Sequence, residues 1–172
     1  NGFSYTLGAG GVSTGSKSVL TINLNRCIQY ACKQNIPYME FLEQMVDLTH
    51  KVQICYNENL KYLLEKGMLP LFDAGYIAIN RQYLTIGING LVEAAEFLKI
   101  PITDNEKYQH FVEEILGMIE DYNKRYKSKD LMFNCEMIPA ENVGVKHAKW
   151  DREDGYVVTR DCYNSYFYIV ED

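Results

Sequence analysis

Two short stretches carry residue types that could handle a phosphate. The first is "GAGGVSTGSKS", residues Gly8 to Ser18. A phosphate-cradling loop of the form G-x-x-x-x-G-K-[ST] uses glycines so that successive backbone N–H groups curl round the anion, with the lysine and hydroxyl meeting phosphate oxygen and Mg²⁺. Gly10 and Gly15 have that spacing, but Ser16 intrudes and Lys17 and Ser18 arrive one residue late. The run Val19, Leu20, Thr21, Ile22 that follows reads as a strand, whereas such a loop opens a helix. Gly10 to Ser18 is therefore expected to lie open or extended rather than wrapped round a phosphate. The second stretch is "EMIPAENVG", residues Glu136 to Gly144. A proline at the first helical position leaves the next N–H groups free and aimed along the helix axis, which makes an anion site. The alternative is that Pro139 only starts a helix and Glu141 offsets its dipole.

The remaining chemistry-bearing residues give weaker patterns. Glu136 is the one carboxylate in a strand interior, and a lone carboxylate is slender support for general acid or base work. His147 in "VKHAKWDRED" could meet an anion together with Lys146 or Lys149, although charged runs of this kind usually face water. His50 and His110 are expected on solvated helix faces. Cys27, Cys32 and Cys55 read as small hydrophobes, while Cys135, on the strand leading to the Pro139 turn, reads as a core residue rather than one pointing to the other side, and Cys162, just before the last strand, reads similarly. No C-x-x-C spacing joins the five cysteines, which argues against a structural zinc site or a secreted disulfide framework and for a reducing, cytoplasmic setting.

Alternating elements must position these residues. "SVLTINL" reads as a buried strand, and "NRCIQYACKQN" as a short helix stopped before Pro37. A long helix follows, with Phe41, Met45, Leu48, Val52, Tyr56, Leu60 and Leu63 as its apolar face and Gly67 as its C-terminal signal. "QYLTIGI" is a second strand, and "GLVEAAEFL" a second short helix. A capping box of Thr103 and Glu106 then opens a long helix with Tyr108, Phe111, Ile115, Ile119, Tyr122 and Tyr126 on one face. "DLMFNCEMI" is a third strand leading into the Pro139 turn, and "YNSYFYIVED" is strand-like. The order strand, short helix, long helix occurs twice and begins a third time. It predicts parallel, neighbouring strands near Val19–Leu24, Tyr83–Ile88 and Leu131–Met137, with ligands at their C-terminal ends.

The 172 residues suffice for one α/β unit spanning 1–172, and a net charge of −6 opposes a nucleic-acid or anionic-membrane surface. No apolar run approaches a membrane span. An anionic ligand must be held by local dipoles. The chain opens on Asn1 without Met and reads as a piece of something larger.

The segments "LGAGGVSTGSKSVLTINLNR", "RQYLTIGINGLVEAAEFL", "FNCEMIPAENVGVKHAKWDREDGY" and "RDCYNSYFYIVED" together resemble the anaerobic, class III ribonucleoside-triphosphate reductases, in order and across essentially the whole chain. The resemblance implies part of a ten-stranded α/β barrel of the glycyl-radical kind, with parallel strands and long outer helices. It implies reduction of ribonucleoside triphosphates to deoxyribonucleotides, a thiyl radical abstracting the ribose 3′-hydrogen. The "IPAEN" turn resembles the family's substrate-phosphate loop, so Ile138, Ala140, Glu141 and Asn142 are the expected phosphate-binding residues. Ser16 and Ser18 would approach the ribose, where many relatives carry an asparagine near Ser16. The radical cysteine is expected before Asn1, and the zinc-binding cysteine cluster and radical glycine beyond Asp172. The piece alone is thus expected to be inactive and to bind no cofactor. The complete enzyme implies a glycyl radical, structural zinc, nucleotide effectors, a radical-SAM activating enzyme and a homodimer. The rival readings are a non-catalytic nucleotide-binding or regulatory module and, less favoured, a P-loop kinase.

Overall fold

The computed structural model describes residues 15–103, 105–138 and 141–164, without the side chain of Glu141. The chain runs β1 (Gly15–Asn23), α1 (Leu24–Lys33), α2 (Tyr38–Glu65), a single turn α3 (Pro70–Asp73), β2 (Gln82–Asn89), α4 (Leu91–Phe97), α5 (Glu106–Tyr126), β3 (Met132–Met137) and α6 (Glu141–Glu153). The described strands form one sheet in the order β1-β2-β3, and both pairings are parallel. The repeated strand and two-helix unit dictates this, since a helical crossover returns the chain to the same edge of the sheet. Strand β1 begins earlier than expected and ends at Asn23, whose side chain accepts from Arg26 N and so caps α1.

The core lies between one face of the sheet and the helices. Ile22, Ile86 and Ile88 point there, with Phe133, Cys135 and Met137 of β3 packed against the same cluster. Helix α5 buries Tyr108, Phe111, Ile115, Ile119 and Tyr122, as its periodicity predicts. Its N-cap differs from the expected capping box. Asn105 supplies the cap, its Oδ1 accepting from Tyr108 N at 3.0 Å, while Thr103 Oγ1 accepts from the Asn105 amide. Asparagine caps at least as well as threonine and stands one residue before Glu106.

Helix α2 is rotated from its predicted face. Leu42, Val46, His50, Gln53, Asn57 and Leu60 are buried, whereas Leu48, Val52 and Tyr56 are 52%, 46% and 41% exposed. Two of the polar side chains, Gln53 and His50, meet polar groups inside. Gln53 Nε2 donates to Thr85 O at 2.9 Å. His50, expected to be solvated, is fully buried, with Nδ1 2.8 Å from Val46 O and Nε2 2.8 Å from the Asn123 carboxamide, stacked on Tyr126. Since Val46 O can only accept, Nδ1 carries a proton. His110 is exposed as expected. Cys32 and Cys55, expected to be buried, are exposed, because each falls on the outer side of its helix, and Cys27 is half-buried. Gly67 does end α2, at φ +66°.

A bulge at Lys17 shifts the register between Ser16 and Ser18 of β1. Ser16 Oγ donates to Ser18 O at 2.8 Å, and the half-buried Lys17 donates through Nζ to Ile79 O at 2.8 Å. Burial, with repulsion from Lys61, lowers the Lys17 pKa to about 8. The unfolded chain then binds more protons than the folded one between pH 8 and the ordinary lysine value, so this residue makes stability rise with pH across that window. Lys17→Met should be more stable than the parent at pH 7.5, with the gap narrowing by roughly 1–2 kcal/mol at pH 9.5. Denaturant unfolding at the two pH values measures this, and a gap independent of pH would show that the ammonium is not penalised.

Candidate functional site

Alternate residues of a strand face opposite sides of its sheet. With Ile22, Ile86, Ile88, Cys135 and Met137 on the helix-covered face, the other face carries, row by row, Val19–Thr85–Asn134, then Thr21–Gly87–Glu136, then Asn23–Asn89. Ile138 continues the last row, since its N–H donates to Ile88 O at 3.2 Å. Thr21, Asn23, Thr85, Asn89, Asn134 and Glu136 make this face mostly polar, with Val19 and Ile138 as its apolar members. Thr85 Oγ1 lies 2.7 Å from Asn134 Oδ1, and Asn134 Nδ2 donates to Glu136 Oε1 at 2.7 Å. Gly87 is the gap in the strip. A Cβ there would stand 2.7 Å from Ile138 Cγ1 and 2.8 Å from Thr21 Oγ1, so glycine lets these two side chains close over the strand.

Helix α6 begins at Glu141, just past the end of β3. Its far end is held to β1 and α1 by Asp151, which is fully buried. The Asp151 carboxylate accepts from Asn23 Nδ2 at 3.0 Å, Tyr163 OH at 2.6 Å and Arg26 Nε at 2.5 Å. Arg26 also reaches Asp154 at 2.6 Å. Burial and the adjacent Asp151 push the Tyr163 phenol well above its ordinary pKa. After α6 the chain crosses back over these strand ends. Gly144 admits it closely, since a Cβ there would lie 2.8 Å from Tyr163 O. Arg160 then clamps the segment to Glu93 and Glu96 of α4 at 2.7 and 2.8 Å.

The expected site residues fall at two ends of this strip. Ile138 is buried at the C-terminal end of the strands, and Asn142 is exposed in the first turn of α6. Glu141 is the first residue of that helix, and Ala140 lies outside the described residues, as does Pro139. Ser16 stands at the opposite end, and Ser18, level with Leu84, lies there on the helix-covered face. Ser16 is level with Tyr83 and hence with Met132, six residues before Ile138, a separation of roughly 20 Å at the rise of a strand. Its hydroxyl is committed to the β1 bulge. Residues Gly15 to Ser18 are extended, as expected of the glycine segment, and Gly8 to Thr14 lie outside the described residues, as does most of "YNSYFYIVED". Cys135 packs on the core side, and burial raises its thiol to about 12.

The lysines near His147 do not form an anion cluster with it. His147 is half-buried, its pKa lowered chiefly by burial, whereas Lys146 is exposed and Lys149 lies 3.8 Å from Glu153. Sequence reasoning did not single out Asn23, Asn25, Asn89 or Asp151. The "TINLNR" and "GING" asparagines at the two strand ends were the available signal. Among the described residues no group of three or more His, Cys, Asp and Glu side chains could hold a metal ion, and no helix is long and apolar enough to cross a membrane. A cleft of about 490 Å³ lies elsewhere, between α5 and β3 on the helix side of the sheet.

The described strands thus form a parallel α/β sheet whose polar strip ends beside the start of α6. The family model for anaerobic ribonucleoside-triphosphate reductase matches residues 3–172, and the chain belongs to that family. Similar solved structures include the anaerobic ribonucleotide reductase from Thermotoga maritima with glycerol in the active site, 28% identical, TM-score 0.86, covering 97% of this chain and 29% of that one. The same reductase in complex with dATP and CTP is 29% identical, TM-score 0.81, covering 90% of this chain and 27% of that one. With citrate in its active site it is 28% identical, TM-score 0.83, covering 94% and 32%. The chain thus spans between a quarter and a third of the length of these structures. No curated protein sequence matches it. The parallel α/β fold matches part of these reductases, and the family is one of oxidoreductases that make deoxyribonucleotides.

Proposed function

We propose that this chain supplies three strands and the substrate-phosphate turn of the catalytic barrel of an anaerobic ribonucleotide reductase. The complete enzyme reduces ribonucleoside triphosphates to deoxyribonucleotides by glycyl and thiyl radical chemistry. The observation that carries this reading is the family match over residues 3–172, joined to a sheet whose polar face ends at the start of α6. The substrate's phosphates bind the turn Ile138–Asn142, with the N–H groups of Ala140, Glu141 and Asn142 converging on them. A protein of net charge −6 attracts a triphosphate only by such short-range dipoles. A carboxylate at Glu141 would repel the anion unless it capped the turn or met a ribose hydroxyl instead. A ribose extends from the turn along the polar strip, with Ser16 at the far end of that strip and Ser18 beside it, level with Leu84, on the helix-covered face.

The rest of the enzyme, on this reading, supplies the radical cysteine, the radical glycine and the zinc-binding cysteines. It also carries the nucleotide effector site, forms the homodimer and meets the radical-SAM activating enzyme in the cytoplasm. The 172 residues alone do not turn over. Ala140→Pro in the complete enzyme removes one N–H from the turn. Titration calorimetry with a ribonucleoside triphosphate should show affinity falling tenfold or more, about 1.4 kcal/mol. Affinity within threefold of the parent would place the phosphates elsewhere.

A further inference from the structure

The polar strip ends on a side chain whose hydrogen-bonding groups are unused. Asn89, the last residue of β2, is 1% exposed, and neither its Oδ1 nor its Nδ2 has a hydrogen-bond partner. A buried carboxamide with both ends unsatisfied is rare in a native protein and calls for an explanation. Its neighbour in register, Asn23, shows the contrast. The Asn23 amide donates to Asp151, and its oxygen accepts from Arg26 N at 3.0 Å, so that side chain is used up holding α1 and α6. Asn89 holds nothing. On its other side in the sheet lies Ile138, the first residue of the turn into α6, and two residues before it is Gly87, where the absent side chain leaves Thr21 and Ile138 in close approach.

We propose that Asn89 is a substrate-binding residue whose carboxamide hydrogen-bonds the sugar hydroxyls of the nucleotide. This rests on the phosphate placement proposed above and names the part of the same ligand that lies next to it. The chemistry of the two free ends selects the group. Nδ2 offers donors and Oδ1 offers an acceptor, so an occupant that satisfies both must itself donate and accept. A hydroxyl does so. A phosphate oxygen only accepts and would leave Oδ1 buried and unpaired against an anion, and a cation would leave Nδ2 unpaired. The position fits, because Asn89 is level with Ile138, and the sugar is joined directly to the phosphates that the turn holds.

The test compares, in the complete enzyme, a ribonucleoside triphosphate with its 2′,3′-dideoxy analogue, which keeps the base and all three phosphates. Titration calorimetry should show the parent preferring the ribonucleotide by tenfold or more. Asn89→Ala should lose at least fivefold in affinity for the ribonucleotide and stay within twofold for the analogue, so that the preference collapses. Its melting temperature without nucleotide should equal or exceed the parent's, because the carboxamide makes no bond in the free protein. An unchanged preference, or an equal loss for both ligands, overturns the inference. If Asn89→Ala does not fold, Asn89→Ser is measured instead. Failure of both to fold would show that another segment of the enzyme satisfies the carboxamide, which also overturns it. Ala140→Pro separates the two claims. It should weaken both nucleotides equally, and if it does so while Asn89→Ala leaves the preference intact, only the assignment of Asn89 falls.

Discussion

Asp151→Ala should destabilise the protein by about 3–5 kcal/mol, the cost of leaving several buried hydrogen-bond donors without their acceptor. The carboxylate is fully buried and serves Arg26, Asn23, Asn25 and Tyr163 at once. Removing it leaves the Arg26 guanidinium with only the exposed Asp154, and strands the Asn23 amide and the Tyr163 hydroxyl in a space that water enters poorly. Most of the expected loss is the penalty of those unpaired groups rather than the worth of the ion pair itself. Asp151→Asn keeps the shape and one acceptor, and should cost roughly half as much. Denaturant midpoints at an unchanged slope measure both changes. A loss below 1 kcal/mol for the alanine variant would mean that water replaces the carboxylate and that α6 is held by other contacts.

That cluster also explains what the sequence could and could not disclose. The parallel order of the strands was legible because the unit of strand, short helix and long helix repeats, and the stripe of α5 was legible because its inward residues are all apolar or aromatic. Helix α2 was misread for the complementary reason. Periodicity finds the apolar face, yet α2 turns His50, Gln53 and Asn57 inward, where Asn123 meets His50 and where Thr85 O and, beyond the β1 bulge, Ser18 O meet Gln53, and leaves Leu48, Val52 and Tyr56 outside. A bulge is not written in a hydropathy pattern, so the demand for Gln53 could not be anticipated. A helix start at this point was legible in "IPAEN" because proline and its neighbours act locally, and α6 begins at Glu141. The register that puts Ser16 about 20 Å from that turn is a property of strand pairing and appears only in the folded sheet. Asp151 was unreadable for a similar reason. In "KWDRED" it looks like one charge in a solvated run, and it is buried because Asn23, Arg26 and Tyr163 come to it from far along the chain.

A second buried pair closes the other side of the strand ends, and Arg160→Met should cost about 3–4 kcal/mol by stranding its partner. Glu93 is 1% exposed, and its Oε1 accepts from Arg160 Nη1 at 2.7 Å and from Asn164 N at 2.9 Å. The same guanidinium reaches both oxygens of Glu96, at 2.8 and 3.1 Å. Glu96 is partly exposed and can be rehydrated when the arginine is lost, whereas Glu93 cannot, so the penalty falls on Glu93. This asymmetry makes the claim testable by a cycle. Glu93→Gln introduced into the Arg160→Met background removes the stranded charge and should restore about 2 kcal/mol, while Glu96→Gln in that background should restore less than about 0.5 kcal/mol. Equal recovery from the two substitutions would show that Arg160 serves a surface network instead. The pair also bears on the ligand site. Arg160 fixes the segment that carries Tyr163 across Gly90, where a Cβ would lie 3.2 Å from the Tyr163 ring, and Tyr163 in turn donates to Asp151 at the end of α6. Loosening Arg160 therefore loosens the packing of Tyr163 on Gly90 and the far end of α6. If the phosphates bind at the start of α6 as proposed, nucleotide affinity in the complete enzyme should fall together with stability and recover with it in the Arg160→Met, Glu93→Gln double variant.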